Sequence, residues 1–428
     1  MCTAAIGVGA ALGFVPGYVS VALQDSLELS KAQVGLLVSL YFGSTGLASV
    51  GGGRLAARLG ARTVIVADMV VVAASATVGA LTERYWVLLA SAVVAGAGYA
   101  WANAGTNDAL ARTVPPRHRT VAFSVKTAGV PTMAAATAAL GAPAANRWSW
   151  TVVWLAVAVA AVVVAVAVAL VLAGDRGPSR PSPEPAVPDH QKGGPQPPES
   201  VVGSEPVPEP GPARVRDSAV AAVDLRSFHW FSLASFLFVA GSQPIFSWVV
   251  PYLQDRLDTS AGVAGALASA AAGLGVVAMI ANGRLADRIG PDRRIGRLLV
   301  LVVAATAGMA AILLGPVFAG GSGLLVVGAG MIIGTSVQLA TIGTMHAALV
   351  DRAGLAVAQA TGITMTGYYL GALLSPVGFG WLVDVTDRYW PSWLVMVVLT
   401  AASLPVWRRA GRIPVAGATA VPTPSGSP

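Results

Sequence analysis

The sequence predicts an all-α polytopic membrane protein, twelve transmembrane helices arranged as two pseudo-symmetric six-helix bundles. Three observations predict this: the composition, the length of the apolar runs and an internal repeat. Hydrophobic residues make up 55% of the chain and charged residues 11%, against roughly 25% charged in ordinary soluble domains. Apolar runs of about 20 residues, enough to cross a hydrocarbon core of ~30 Å, recur along most of the 428 residues. Their continuity excludes a β-barrel, whose strands alternate apolar and polar residues over ~10 positions.

The repeat has an offset of 230 residues. Leu23-Gln24-Asp25, Leu27, Ser30, Gly35, Ser39 and Gly43 return as Leu253-Gln254-Asp255, Leu257, Ser260, Gly265, Ser269 and Gly273. Downstream, Gly53-Arg-Leu-Ala-Ala-Arg-Leu-Gly-Ala-Arg62 returns as Gly283-Arg-Leu-Ala-Asp-Arg-Ile-Gly-Pro-Asp-Arg-Arg294. Each copy reads as helix end, short turn, helix and basic loop, so the chain is a doubled membrane unit.

Twelve spans are expected at about 4–23, 33–52, 63–82, 86–109, 120–143, 150–173, 228–252, 261–282, 298–318, 323–345, 357–381 and 391–407. The apolar N-terminus is continuous with the repeat unit and reads as the first span rather than a cleaved signal. Basic residues crowd alternate loops: Arg54, Arg58 and Arg62; Arg112, Arg117 and Arg119; Arg284, Arg288, Arg293, Arg294 and Arg297; then Arg352, Arg408, Arg409 and Arg412. The other loops carry one basic residue each or none, such as Lys31, Arg84, Arg147, Arg256 and Arg388. The bias of arginine toward one side places both termini in the cytoplasm of a multi-pass cytoplasmic-membrane protein. Residues 174–226 are rich in Pro, Gly and Glu, as in Pro181-Ser-Pro-Glu-Pro185, a composition that cannot bury a core. The expected organisation is a bundle over 1–173, a disordered cytoplasmic linker over 174–226, a bundle over 227–410 and a disordered tail over 411–428.

Net charge +7 and pI near 9.9 do not point to nucleic acid, because the arginines sit between spans. Cys2 is the only cysteine, which excludes internal disulfides and cysteine metal clusters. His118, His190, His229 and His346 are scattered, with no His-Glu-x-x-His pair and no Gly-x-x-x-x-Gly-Lys loop to cradle ATP. No catalytic residues, metal or cofactor are therefore expected. Gly96-Ala-Gly98, Gly328-Ala-Gly330, Gly367 and Gly371 lie inside apolar spans, where small residues let helix backbones approach. Pro16, Pro131, Pro244 and Pro376 also fall within spans and are expected to kink helices.

Six plus six spans, a long middle loop and paired Gly-x-Leu-Ala-Asp-Arg-x-Gly loops resemble the major facilitator superfamily. Gly283-Arg-Leu-Ala-Asp-Arg-Ile-Gly290 followed by Arg293-Arg294 is a full match to its loop signature. The resemblance implies a solute site between two bundles and alternating access by rocking. It also makes Gly53, Arg54, Arg58, Gly60, Gly283, Asp287, Arg288, Gly290 and Arg294 conformational latch residues, with Asp287 pairing in one state only. The first copy departs from the pattern, since Ala57 stands where the family has its acid. The Arg-x-x-x-Gly of many drug/proton antiporters is missing, Gly96 being preceded by Ala92, and their Gly-x-x-x-Gly-Pro signature is reduced to Gly141-Ala-Pro143.

Charges at membrane depth are costly and usually face a partner or an aqueous path. Asp108 and Lys126 fall at similar depth on neighbouring antiparallel spans and are expected to pair. Asp68 is expected to partner a loop arginine, with proton carriage as the alternative, and Asp25 and Asp255 to cap helix ends or sit in solvated turns, with an outer gate as the alternative. Asn103, Asn107, Gln243, Trp248, Gln338, Tyr368 and Tyr369 are polar or aromatic within spans, the chemistry that fixes a small polar solute. The expected function is secondary transport of a small organic solute by rocker-switch alternating access, with proton coupling as an option. The alternatives are drug efflux by antiport, a transport-inactive sensor or scaffold, and a membrane enzyme. The expected partners are the solute, the bilayer and protons; the chain is expected to be a monomer that binds no nucleic acid.

Overall fold

The computed structural model describes residues 1–115, 119–172, 225–318 and 321–415. Arg117, His118, the expected linker up to residue 224 and the tail beyond 415 lie outside the described residues.

The first half contains α1 (Cys2–Tyr18), α2 (Ser20–Leu27), α3 (Lys31–Leu59), α4 (Ala61–Thr82), α5 (Tyr85–Thr113), α6 (Arg119–Thr127), α7 (Gly129–Arg147) and α8 (Trp150–Val171). After a short 3-10 turn over Leu225–Phe228, the second half contains α9 (His229–Ser242), α10 (Ile245–Leu257), α11 (Ala261–Arg288), α12 (Pro291–Leu314), α13 (Gly321–Ala353), α14 (Val357–Thr386) and α15 (Trp390–Ala410). Three spans are interrupted, so fifteen helices make twelve crossings: α1–α2, α6–α7 and α9–α10. Nine crossings are long and apolar enough by themselves, and the bent pairs α1–α2 and Lys31–Ser49 with Gly51–Leu59 bring the number to eleven among the described residues. The twelfth, α6–α7, is less apolar because alanine, glycine and threonine replace leucine and valine along α7.

Helix packing repeats between the halves. In the first, α3 packs on α5, α4 on α5, α4 on α8 and α1 on α7. In the second, α11 packs on α13, α12 on α13, α12 on α15 and α9 on α14. The 230-residue repeat is therefore a repeat of packing as well as of sequence. The bundles meet through α3 against α14 and α7 against α11, a pair of contacts related by the same symmetry, and through α1 against α10. Large aliphatics remain on the outer surface, for example Val159, Val163, Val166 and Leu170 along α8, as a helix facing lipid tails requires. Trp86, Trp148 and Trp390 are exposed at helix ends, where an aromatic belt meets the headgroups.

The two basic "loops" are mostly helix. α3 runs to Leu59 and α4 starts at Ala61, leaving Gly60, at φ 83°, as the whole turn. α12 begins at Pro291, seven residues ahead of the span expected at 298. Proline at the first helical position and Asp292 in the first turn suit a helix N-terminus, and hydropathy is blind to both. The prolines act unequally. α1 continues past Pro16 and bends by 67° at the Val19 junction with α2, α9 and α10 separate at Gln243–Pro244, and α14 is continuous through Pro376. Pro131 sits just after the α6–α7 break at Ala128.

Candidate functional site

Away from the arginine-rich turns, the two halves are fastened together. The N-terminus of α3 is completed from the other bundle: Asp384 of α14 accepts the Lys31 N–H at 3.0 Å and the Ala32 N–H at 2.7 Å. Ser30 and Gln33 supply a capping box for the same end, with the Ser30 N–H donating to Gln33 at 2.8 Å and the Gln33 N–H to the Ser30 hydroxyl at 3.2 Å. Lys31 Nζ lies 3.2 Å from Asp255 and 5.5 Å from the Tyr389 ring centroid. Tyr389 donates to Asp255 at 2.7 Å. Asp255 thus joins a cross-bundle closure, in keeping with the outer-gate alternative rather than a solvated turn.

The closure continues as rungs down α3 and α14. Gly380 lies against the Lys31 carbonyl and Gly35 against the Pro376 carbonyl. The Val377 N–H then donates to Ser39 Oγ at 3.2 Å, Gly43 meets Leu373, and Gly46 meets Tyr369. Gly35 and Gly380 are required here, because any Cβ would run into backbone of the facing helix. Gly265 of α11 packs likewise on the Ala138 carbonyl of α7. Trp248, expected to touch solute, donates its indole N–H to the Pro376 carbonyl at 2.9 Å and is fully buried. It braces α14 from within its own bundle.

Beyond Tyr369, which also hydrogen-bonds Ser49, no further hydrogen bond, ion pair or ring contact joins α3 to α14 among the described residues. A Cβ added at Gly51 or Gly53 of α3, Gly273 or Gly283 of α11, or Gly362 of α14 would meet nothing within 4 Å. Of the expected latch residues, Arg54, Arg58, Asp287 and Arg288 are exposed, and Asp287 joins no ion pair among the described residues. Arg294 is engaged within its own bundle, 2.6 Å from Asp351 of α13 and 3.1 Å from the Ala286 carbonyl. Arg297 donates to Asn282 at 2.9 Å.

Between the closed and open ends lies an aromatic and amide-rich layer. Phe14 of α1 makes edge contacts with Phe42 of α3 and, across the bundle boundary, Phe246 of α10, at 5.6 and 5.7 Å. Tyr41 lies 6.1 Å from Tyr99, and Tyr368 packs on Tyr369 at 5.4 Å. Gln338 donates to Gln243 at 3.1 Å, joining α13 to the α9–α10 break, with both side chains buried. Phe14, Tyr41, Tyr99 and Phe246 were not singled out from sequence, since a lone aromatic in an apolar run carries no pattern. The signal available for Asp384 was an acid near the end of an apolar run.

The expected Asp108–Lys126 pair does not form. Asp108 turns to Arg112, one helical turn along α5, and the two form an i,i+4 ion pair near the surface. Lys126 is buried instead, its Nζ donating to Oδ1 of Asn103 at 2.5 Å and Oδ1 of Asn107 at 2.6 Å. Two expected solute residues and the lysine thus form one cluster. Asp68 also departs from expectation. It is 2% exposed, and neither carboxylate oxygen has a hydrogen-bond partner among the described residues. Gly9 of α1 and Gly98 of α5 make room for it, each so close that a methyl group would strike the carboxylate. An arginine partner is out of reach because this pocket lies inside the bundle, between α1, α4 and α5.

The family model of the Major Facilitator Superfamily matches residues 1–376. The chain belongs to that superfamily. It is a multi-pass membrane transporter and not an enzyme. The fold of this superfamily member is similar to that of a bacterial homolog of the human lysosomal transporter Spinster, in an inward-facing and occupied conformation, with a TM-score of 0.69 and 14% identity over 96% of each chain. An inward-facing, unoccupied form of that homolog gives 0.67 and 15%, again over 96% of each chain. A D-xylose–proton symporter gives 0.67 and 14%, over 97% of this chain and 98% of the other. At these identities the likeness concerns the fold. No match to the chain is found among curated proteins.

Proposed function

We propose that this transporter is a secondary carrier of a small organic solute, that it works by rocking one bundle against the other, and that the state described is open to the cytoplasm. One observation carries the reading. The two bundles are zipped along α3 and α14 from Lys31–Asp384 to the contact of Tyr369 with Gly46 and Ser49, and among the described residues no polar or ring contact joins these helices beyond it. A static scaffold has no use for closure at one end only, whereas alternating access requires it. Arginine-rich turns at the open end mark it as cytoplasmic, so both termini are cytoplasmic and the closed end is extracytoplasmic. The rocking bodies are residues 1–173 and 227–410, and the chain works as a monomer.

Proton coupling is the form of energisation we favour, through Asp68. A bare carboxylate inside a bilayer is costly without a counter-charge. The titratable groups facing Asp68 are Tyr41 of α3 and Tyr99 of α5, and neither supplies one.

The test measures distances by double electron–electron resonance in a Cys2→Ser background. One label pair replaces Ser26 and Arg256 at the closed end; the other replaces Ala57 and Arg284 at the open end. Carriers rock, so the distance distributions at the two ends should shift in opposite directions as pH or lipid composition is varied. Distances that stay fixed at both ends under every condition would sink the transport mechanism and favour a sensor or scaffold.

A further inference from the structure

Lys126 places a positive charge inside the membrane unit, and among the described residues no carboxylate answers it. The residue is 4% exposed. Among the described residues its Nζ meets neutral oxygens, Oδ1 of Asn103, Oδ1 of Asn107 and, at 3.5 Å, the Asn103 carbonyl. The acid nearest in the sequence, Asp108, is held by Arg112. A buried cation in a neutral cradle is electrostatically incomplete, and an anion completes it.

The position of the cluster says which anion can reach it. Tyr99, Asn103 and Asn107 follow one another at four-residue spacing on α5 and so share a face. Tyr99 marks the central aromatic layer through its neighbour Tyr41, which itself packs on Gly13 of α1. Asn103 and Asn107 lie one and two turns from it toward the end where the bundles stand apart. Asn107 is exposed and Asn103 half-buried, while Lys126 beneath them is buried. The amides form a mouth and the amine a floor. Each amide also carries two N–H donors besides the oxygen now facing Lys126, so rotating an amide turns the cradle from acceptors into donors around an incoming oxyanion. A planar carboxylate has acceptor sites for Nζ and for both amides at once.

We infer that Lys126, Asn103 and Asn107 bind the anionic group of the transported solute, a carboxylate or phosphate, and so set an organic anion as its substrate class. The inference rests on the carrier reading above. Asn103 and Asn107 do more than pack helices: they gate and orient the anion at the lysine. The same chemistry is offered by the phosphate of an anionic lipid, and the experiment separates the two.

Purified full-length protein is melted in neutral detergent with acetate, lactate, succinate, benzoate or phosphate, each organic acid beside its uncharged amide. A binding anion raises the melting temperature as its concentration passes Kd. The expected result is stabilisation by at least one anion and not by its amide. Charged hydrogen bonds of this kind imply binding on the order of ten- to a hundredfold weaker in Lys126→Gln. Lys126→Arg should retain most of the shift and Asn107→Ala should weaken it, which separates lost binding from a folding defect. Equal stabilisation by acid and amide, or a shift that survives Lys126→Gln, overturns the inference. So does silence from every anion up to about 20 mM, well above the roughly 1 mM upper end of ordinary KM values. Stabilisation by phosphatidylglycerol alone assigns the cluster to lipid and overturns it too. The carrier reading stands or falls on the two-ended distances, whatever these melts return.

Discussion

Replacing Asp384 by alanine should open the closed end, and the structure sets the size of the effect. The first four N–H groups of a helix lack partners within it. In α3 two of these early donors, Lys31 and Ala32, depend on a carboxylate borrowed from the other bundle, at 3.0 and 2.7 Å. Loss of a side-chain cap costs typically about 1 kcal/mol, within a range of roughly 0.5–2. An anion at a helix N-terminus contributes about 0.3–1 kcal/mol more. Water recovers part of this once the end opens, so the difference between states is about 1–2 kcal/mol, or a factor of roughly 5–30 in population. The neighbouring Lys31–Asp255 pair, with side chains 21% and 31% exposed, falls nearer the ~0–1 kcal/mol of surface bridges. Asp384→Ala should therefore raise the long-distance population of the Ser26/Arg256 label pair several-fold, and Lys31→Ala should raise it less. Asp384→Asn, which keeps one acceptor and loses the charge, should fall between. Unchanged populations in Asp384→Ala, or a larger shift in Lys31→Ala, would refute the claim that the closure is a shared helix cap.

Gly35→Leu places a side chain against the Pro376 carbonyl and should also open that end; Gly273→Ala, with open space around it, should leave both distances alone. Arg294→Ala strands Asp351, whose side chain is 11% exposed. It should cost about 2–3 kcal/mol in a thermal melt, against within about 0.5 for the exposed Arg293→Ala. Asp287→Asn should leave the cytoplasm-open state intact and depopulate the opposite state, read at the Ala57/Arg284 pair; a wild-type balance between states would end the latch assignment. Asp68→Asn should fold normally and keep solute exchange down a counterflow gradient, while losing solute accumulation driven by a proton gradient. Accumulation that survives in Asp68→Asn would remove the proton from that site.

The architecture was legible because it depends on long-range averages. Apolar run length and the 230-residue repeat survive errors of several residues, and both reappear as helices and as matched packing pairs. Boundaries were less legible: the starts of α3 and α12 are decided by a capping box and by Pro291, and membrane helices extend past the apolar window wherever such caps allow. Pairings between charges were the hardest to see. Similar depth suggested Asp108 with Lys126, yet Arg112 lies one turn from Asp108 on the same helix and captures it at less conformational cost. Asp384 and Lys31 are 353 residues apart, and their meeting depends on which bundles touch at which end, a property of one state of the carrier. Asp68 looked ordinary as one acid early in a span. Its isolation became visible only once α1 and α5 were seen to turn glycines toward it.

The ladder along α3 has an electrical consequence. From Lys31 to Gly46 it covers sixteen residues, roughly 24 Å at the helical rise, out of a hydrocarbon thickness of ~30 Å. Packed side chains insulate, so for a carrier open at the other end, as proposed, most of the transmembrane voltage falls across the ladder. A charged solute resting beside Lys126 then sits close to the cytoplasmic potential, and its binding there should be nearly blind to voltage. The field acts instead when the ladder is rebuilt on the other side of the solute, with about 2.3 kcal/mol available per elementary charge per 100 mV. For a charged cargo, membrane potential would drive the rocking rather than the capture.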